Sequence, residues 1–142
     1  MNLTLNRRYT FSASHRLHSA RLSDAENRRI YGKCSNPYGH GHNYVVEVGV
    51  SGSVDPETGM IVNLADLDSY VQCHVLDALD HTYLNEQAPE FAKTVPTTEN
   101  LCREIFRRLE KFPSARLERV RIEETSLNSF EYAPYSAGGS AR

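Results

Sequence analysis

The sequence of 142 residues lacks several features that would place it in a specialised class of protein. No apolar run approaches the roughly 20 residues that a helix needs to cross a bilayer. The first residues lack the apolar segment of a signal peptide. The net charge of −2 provides no basic surplus, on which non-specific nucleic-acid binding depends. We therefore expect a cytoplasmic protein that binds neither membranes nor nucleic acid.

Cysteine is scarce as well. The three cysteines, Cys34, Cys73 and Cys102, are odd in number and widely spaced, so no disulfide framework is expected. Cys73 and Cys102 fall within helical patterns, where a cysteine is usually a small buried hydrophobe. Cys34 differs because it lies among Gly, Lys, Ser, Asn and Pro residues, where packing does not explain it. It is therefore the cysteine that we examine for chemistry.

What is present is typical of a globular protein, with 39% hydrophobic and 24% charged residues. The length predicts one domain with a hydrophobic core of its own. We place this domain at residues 1–135. The remaining residues, 136–142, are rich in Gly, Ser and Ala and are predicted to form a disordered tail.

Hydrophobic periodicity predicts an α+β domain. Apolar residues alternate with polar ones in Leu3–Ala13, and this period of two is typical of a strand with one buried face. A long loop is predicted over Leu17–Asn36, with a short helix within it as the alternative. The further predicted elements are, in order, a strand over Gly41–Val50, a helix capped by Asn63 that ends near Asp80-His81, a helix that follows Pro96 and stops at Pro113, a strand over Leu117–Thr125 and an edge strand within Phe130–Tyr135. This order of strands and helices along the chain favours an antiparallel sheet with helices packed on one face.

Three histidines are placed so that they can meet. His40 and His42 are two residues apart at the start of the second strand, so their side chains project from one face. His15 occupies the matching face at the end of the first strand and joins them if the two strands pair antiparallel. Three imidazoles with one open position are typical of a catalytic zinc site. Taken singly, a histidine at a strand end is more often a satisfied polar residue than a metal ligand, and only the third histidine in register favours a metal.

Cys34 stands six residues before His40, in a loop that can fold the thiol back toward the histidines. Lys33 and a nearby dication would both favour the thiolate, which can act as a base or a nucleophile. From spacing alone, a fourth zinc ligand and an inert loop thiol remain equally good interpretations.

Two acidic positions have both a structural and a functional interpretation. At Asp80-His81 the end of a helix favours an imidazole through the helix dipole, which is the interpretation that the local sequence favours. The alternative is a proton relay in which the carboxylate fixes the imidazole tautomer.

Glu124 shares the alternation of Val120 and Ile122, so its carboxylate points to the apolar side of the sheet and needs a partner. That partner is either an internal Arg or Lys or a ligand with two parallel N–H donors.

Together these segments resemble the 6-pyruvoyl-tetrahydropterin synthases. The resemblance covers Leu3 to about Tyr132 and rests on five motifs that occur in the family's order. They are Phe11-Ser-Ala-Ser-His15-Arg-Leu, Gly32-Lys-Cys34-Ser-Asn-Pro-Tyr-Gly-His40-Gly-His42-Asn-Tyr44, Leu79-Asp80-His81, Pro96-Thr97-Thr98-Glu99-Asn100 and Glu124-Thr125.

The resemblance implies the tunnelling fold, a four-stranded antiparallel sheet with two helices packed on one face. Subunits of the family join into trimers whose sheets form a barrel, and two trimers form a homohexamer. The segment after Glu124-Thr125 departs from the family pattern because it is shorter and more broken than a full fourth strand.

The resemblance also implies the chemistry. The family is a group of zinc-dependent lyases that convert 7,8-dihydroneopterin triphosphate to 6-pyruvoyl-tetrahydropterin with loss of triphosphate. The family's site residues fall on His15, His40 and His42 as Zn²⁺ ligands, on Cys34 as catalytic residue with Asp80 and His81 contributed across a subunit boundary, on Glu124 as the anchor of the pterin ring, and on Thr97 and Thr98 in the same pocket. Arg16 is a candidate for contact with the triphosphate.

Two other functions compete with this one. The first is the related 6-carboxytetrahydropterin synthase of the queuosine (7-deazaguanine) pathway, which uses the same substrate but releases acetaldehyde. Its spacing from Cys to His is typically shorter than that between Cys34 and His40, so the spacing here favours the pyruvoyl product. The second is a non-catalytic zinc-binding module in which His18 or Cys34 closes a fourth coordination position.

Overall fold

A computed structural model describes residues 2–135. The predicted tail at residues 136–142 lies outside the described residues. The five strands are β1 (Asn2–His15), β2 (His40–Ser53), β3 (Thr82–Tyr83), β4 (Arg116–Thr125) and β5 (Asn128–Tyr132). They form one sheet in the order β3-β1-β2-β4-β5.

The two long strands pair as the alternation predicts. β1 runs antiparallel to β2 over its whole length, and His15 is the Cα partner of His40. The odd positions of β1 face the core, where Phe11 and Ala13 are buried. The even positions of β2 face the same core, so one sheet face is apolar and the other polar.

The predicted four-stranded antiparallel sheet is wrong in both respects. β3 is a fifth strand, and it pairs parallel to β1 through Ala13↔Thr82 and Ser14↔Tyr83. The sheet is therefore mixed. Two residues are too few to show a period in the sequence, which is why periodicity did not reveal this strand.

Two helical stretches cover the apolar face of the sheet. The first is α2 (Leu64–Val71), which continues through a π-helical segment (Gln72–Leu76) into the short α3 (Asp77–Leu79). Asn63 caps it as predicted, since its side chain accepts a hydrogen bond from Ala65 N–H. The second is α5 (Thr98–Leu109). The core residues of these helices are Leu67, Val71, Val75, Leu79, Leu101, Ile105, Phe106 and Leu109.

The long segment between β1 and β2 contains a short helix, the alternative that the sequence allowed for this loop. It contains α1 (Asp24–Tyr31), which Ser23 caps, followed by a 3₁₀ turn (Gly32–Ser35). Two further short helices, α4 (Leu84–Gln87) and a 3₁₀ turn (Pro89–Phe91), precede α5. No helix among residues 2–135 is long and apolar enough to span a membrane.

The cysteines in the helices differ from each other. Cys102 is buried in α5, as a small hydrophobe would be, whereas Cys73 is exposed. The interpretation of Cys73 as a buried hydrophobe is therefore wrong, because it lies on the outer side of the π-helical segment.

Candidate metal centre

The register of β1 and β2 brings the three predicted histidines together. His15 is opposite His40, and Ala13 is opposite His42, so all three side chains lie on the core face. One ring nitrogen from each lies within 4.8 Å of the other two. His15 is fully buried, and the other two are partly buried. The three histidines are close enough to bind one metal ion.

His15 is held in one orientation by a backbone carbonyl. Its Nδ1 lies 2.7 Å from the carbonyl oxygen of Pro96. A carbonyl can only accept, so Nδ1 carries the proton and donates. Burial lowers the pKa of His15 to about 4, which keeps the ring neutral near pH 7. Nε2 therefore presents a lone pair to the centre of the cluster, as a metal ligand must.

The ring nitrogens of His40 and His42 that face the cluster lack a good hydrogen-bond partner. Nε2 of His40 lies 2.9 Å from Nε2 of His15. Nε2 of His42 is buried and has no hydrogen bond within residues 2–135. A buried nitrogen without a partner is costly. A cation among the three nitrogens would remove that cost, and tetrahedral zinc would need only about 3.3 Å between ligand nitrogens.

Glu124 borders the cluster, on the apolar side of β4 as its alternation predicts. Its Oε1 lies 3.2 Å from Nε2 of His42 and 3.8 Å from Nε2 of His15. The first pair is close enough for attraction but does not have the geometry of a hydrogen bond. Oε2 accepts a hydrogen bond of 3.0 Å from the side-chain amide of Asn128. The neighbours of its two carboxylate oxygens are thus His42 and Asn128. An internal Arg or Lys, one of the two alternatives that the sequence left open, is not among the partners that the structure gives Glu124.

Tyr44 lies beneath the histidines and was not assigned a role from the sequence. Its ring is fully buried, stacks on Phe11 with centroids 5.0 Å apart, and meets His42 edge-on at 5.5 Å. Its hydroxyl lies 3.5 Å from Nδ1 of His15. Burial, followed by the charge of Glu124, raises the pKa of Tyr44, so the phenol stays neutral. Its place at i+2 from His42 on the same strand face was the available signal.

Cys34 lies near the cluster in the chain but outside it. It sits in the 3₁₀ turn that follows α1, half-buried. Its carbonyl accepts a hydrogen bond of 2.9 Å from Leu17 N–H, two residues beyond His15. Among residues 2–135, neither Cys34 nor His18 belongs to the group of mutually close ligand atoms.

Asp80 and His81 form a pair of their own. Oδ1 of Asp80 lies 2.8 Å from Nδ1 of His81 and accepts a hydrogen bond of 2.9 Å from Ser12 N–H. This backbone bond, and then the charge of His81, lowers the pKa of Asp80. His81 has a positive φ of 59°, and its N–H donates to the Ser12 carbonyl at 2.6 Å. Positive φ is unusual for a residue with a Cβ, so this backbone bond keeps His81 in place.

The pair lies on the other side of the sheet from the three histidines. His81, whose side chain is 81% exposed, lines a cleft of about 380 Å³ with Ser12, Ser14 and Asn43. By alternation these three side chains face away from His15. The cleft also reaches His42. The structure does not bring Asp80 and His81 into the cluster, and the helix ends at Leu79, before both.

Thr97 and Thr98 open α5 beside the cluster. The Thr97 side chain caps the helix by accepting from Asn100 N–H at 3.3 Å. Thr98 is buried, and its hydroxyl, which is near Tyr44, makes no hydrogen bond of normal geometry with any residue from 2 to 135. Pro96, which orients His15, directly precedes them. Sequence reasoning missed the role of Pro96 because a backbone carbonyl leaves no side-chain signature.

Comparison with known proteins identifies a family that shares the sequence of this chain. The sequence profile described as 6-pyruvoyl tetrahydropterin synthase matches residues 4–134. A 6-pyruvoyl tetrahydrobiopterin synthase of Poecilia reticulata is 50% identical over 129 residues, which are 90% of this chain and 88% of that one. A putative 6-carboxy-5,6,7,8-tetrahydropterin synthase of Archaeoglobus fulgidus is 42% identical over 85 residues, 60% of this chain and 67% of that one.

A solved structure agrees with these matches. The 6-pyruvoyl tetrahydropterin synthase of Caenorhabditis elegans superposes with a TM-score of 0.89 at 45% identity, covering 94% of this chain and 96% of that one. Both the sequence and the fold are thus shared over nearly the whole chain.

Proposed function

The chain belongs to the 6-pyruvoyl tetrahydropterin synthase family, and from this membership we propose that it converts 7,8-dihydroneopterin triphosphate to 6-pyruvoyl-tetrahydropterin with loss of triphosphate. In this reaction it is a zinc-dependent lyase. The observation that carries the proposal is the cluster of His15, His40 and His42 with the carboxylate of Glu124 at its edge.

The donor set supports zinc. Three neutral imidazoles are a common catalytic zinc site, with the fourth position left for substrate. The hydrogen bond from His15 to the Pro96 carbonyl is the kind of outer contact that orients such ligands. When bound, zinc would polarise the side-chain oxygens of the substrate and make the adjoining C–H bonds more acidic.

In this proposal Glu124 positions the substrate. A carboxylate can accept two parallel N–H bonds from the edge of a pterin ring. Asn128 holds one carboxylate oxygen and thereby fixes the plane of the group. Orientation of this kind lets the substrate side chain extend toward the histidines. Thr97 and Thr98, at the start of α5, are proposed to line the same pocket.

Cys34 is proposed as the base. Its thiolate would remove a proton from the substrate side chain, and the Asp80–His81 pair would deliver or remove another during the tautomerisation. Its position outside the mutually close ligand atoms supports a role in proton transfer over one as a fourth ligand. This same position argues against the non-catalytic zinc module.

Asp80 and His81 are proposed to act on a neighbouring subunit. They lie over the polar face of β1, whereas His15 points to the opposite face. If Asp80 and His81 serve the site of a neighbouring subunit, they need not lie on the same sheet face as His15 of their own chain. This arrangement requires an oligomer, which we propose to be the family's hexamer of two trimers. The single domain over residues 1–135 and the cytoplasmic location remain predictions.

Product analysis tests the function. The zinc-loaded protein is mixed with 7,8-dihydroneopterin triphosphate, and products are identified by mass spectrometry with an acetaldehyde assay alongside. We expect a pyruvoyl pterin, free triphosphate and no acetaldehyde. A carboxypterin with stoichiometric acetaldehyde would assign the alternative activity of the 6-carboxytetrahydropterin synthases. No turnover would contradict both enzymatic proposals.

A further inference from the structure

A second cleft lies beside the proposed active site and has no role in the chemistry above. It has a volume of about 280 Å³ and lies between the end of β1, helix α1 and the 3₁₀ turn that carries Cys34. Its lining is rich in basic groups, namely Arg16, His18, Arg28 and Lys33, and Asp24 is its one acidic member.

The basic groups of this cleft are poorly paired. Arg28 and Lys33 have no ion pair or side-chain hydrogen bond to any residue between 2 and 135. Arg16 uses only its Nε, which donates to the Ser35 carbonyl at 3.0 Å, so its two terminal nitrogens are without a bond in the same range. One carboxylate, that of Asp24, faces three permanent cations. Such a set favours a multiply charged anion.

A second observation concerns His18, which lines the same cleft. Nδ1 of His18 is buried and has no hydrogen bond within the described part of the chain. A buried ring nitrogen without a partner is costly unless a ligand supplies one. An anionic oxygen in the cleft would accept hydrogen bonds from the neighbouring guanidinium groups, and a small rotation of the His18 ring would bring its nitrogen to the same ligand.

The position of the cleft indicates which anion binds there. Arg16 directly follows His15, and Lys33 directly precedes Cys34. The hydrogen bond from Leu17 N–H to the Cys34 carbonyl ties the two segments together. The cleft therefore adjoins the residues that would hold and deprotonate the side chain of the substrate.

We propose that this cleft binds the triphosphate group of the substrate through Arg16, Arg28, Lys33 and His18. The inference rests on the proposed function. It adds a place for the leaving group, which departs with the electrons of the C–O bond as triphosphate and remains an anion. Basic groups around it stabilise that charge in the bound substrate and as the bond breaks.

Arg28 offers a test with a matched control. Arg28 and Arg29 are adjacent, exposed and without ion pairs among residues 2–135, but only Arg28 lines the cleft. Arg28→Gln and Arg29→Gln therefore remove the same charge from the same turn of α1. Neither substitution should alter folding, which thermal unfolding checks.

The first measurement is binding of inorganic tripolyphosphate to the zinc-loaded protein by calorimetry, with zinc content assayed after each titration. We expect Arg28→Gln to weaken binding by about tenfold, the effect of losing one charge-assisted contact, and Arg29→Gln by less than about twofold. Equal affinities in all three proteins would overturn the proposal. An equal loss in both variants, or no binding by the unmodified protein, would also overturn it.

The second measurement separates this proposal from the proposed function. With 7,8-dihydroneopterin triphosphate, Arg28→Gln should raise KM by about tenfold while Arg29→Gln leaves it unchanged. If turnover occurs but the two variants behave alike, the cleft assignment fails and the function stands. If there is no turnover but tripolyphosphate binding depends on Arg28, the proposed function fails while the anion site stands.

Discussion

At the scale of single residues, the two ring nitrogens of His15 have different tasks. Nδ1 donates to the Pro96 carbonyl, and Nε2 faces His40. Because the carbonyl fixes which nitrogen carries the proton, the ring is ready to bind a cation without rearrangement. Burial of His15 also raises the free-energy cost of charging the ring in the folded protein.

The cost of charging His15 predicts that the stability of the zinc-free protein depends on pH. The pKa of His15 falls from 6.5 to about 4 on folding, because burial disfavours the charged ring. Between these values the unfolded chain binds the extra proton, so the free energy of unfolding decreases as pH falls from 6.5 toward 4. Urea unfolding at a series of pH values measures this slope.

A substitution isolates the contribution of His15. His15→Gln cannot titrate in this range, so its zinc-free form should show a shallower decrease between pH 6.5 and 4. The comparison uses the difference between the two slopes, because all other titratable groups are common to both proteins. Identical slopes would mean that His15 does not carry the proton linkage.

The residues of the site were predictable where side chains follow strand alternation. The spacing of His40 and His42, and the place of His15 at a strand end, sufficed to predict the cluster, because parity fixes the side of the sheet. Pro96 and Asn128 were not predicted. Pro96 acts through a backbone carbonyl on His15, 81 positions earlier, and Asn128 acts through its side-chain amide on Glu124, which lies four residues away across the turn between β4 and β5. A backbone group and a turn contact both lie outside what strand alternation describes.

At the scale of secondary structure, the start of α5 supports the metal site. Thr97 caps the helix, and the preceding Pro96 places its carbonyl against His15. The cap and the histidine contact are thus made by consecutive residues. Loosening the first turn of α5 would therefore loosen His15.

Thr97→Ala tests this link. Loss of a helix N-cap typically reduces the free energy of unfolding by about 1 kcal/mol. We expect that loss in urea unfolding, together with weaker zinc binding in a competition titration with a chelator. Thr97→Ser keeps the capping oxygen and should behave like the unmodified protein. If Thr97→Ala loses stability but binds zinc normally, α5 and the metal site are not coupled.

Elements with a clear period were predictable, and short ones were not. β1 and β2 differ from their predicted bounds by only one to three residues at each end, because long alternating runs define a half-buried strand. β3 has two residues and is stabilised by pairing to β1 rather than by its own sequence. The positive φ of His81 likewise depends on its bond to Ser12, which lies 69 positions earlier in the chain.

At the scale of the whole molecule, the two faces of the sheet have separate roles. The apolar face packs against α2 and α5 and carries the histidines. The polar face carries ion pairs that cross between strands, such as Arg119 with Glu47 and Glu131, and Arg8 with Glu123. Asp80 and His81 belong to this polar side, away from the histidines of their own chain.

Complementation between inactive chains tests whether they act on a neighbour. Cys34→Ala and His81→Ala should each be inactive alone. In mixed oligomers from co-expression, a site that takes Cys34 from one chain and His81 from another regains both groups, so about one quarter of the unmodified activity should return. The mass of the particle by light scattering should be about six times the 16.1 kDa of one chain.

Activity that stays absent in the mixed oligomers would contradict this account. A chain that supplies both groups to its own site would give that result, because every mixed site would then lack one of them. Unmixed samples of each variant, treated in the same way, provide the control for residual activity.

In the proposed enzyme three histidines hold zinc while Cys34 reacts. The most direct test measures zinc content and turnover of Cys34→Ala. The control is Cys73→Ala, which removes an exposed cysteine that does not belong to the histidine cluster. We predict that Cys34→Ala retains one zinc per chain and its thermal stability but loses turnover by about 10²-fold or more, while Cys73→Ala is unchanged in all three. Loss of zinc or of stability in Cys34→Ala, or turnover near that of the unmodified protein, would contradict the account.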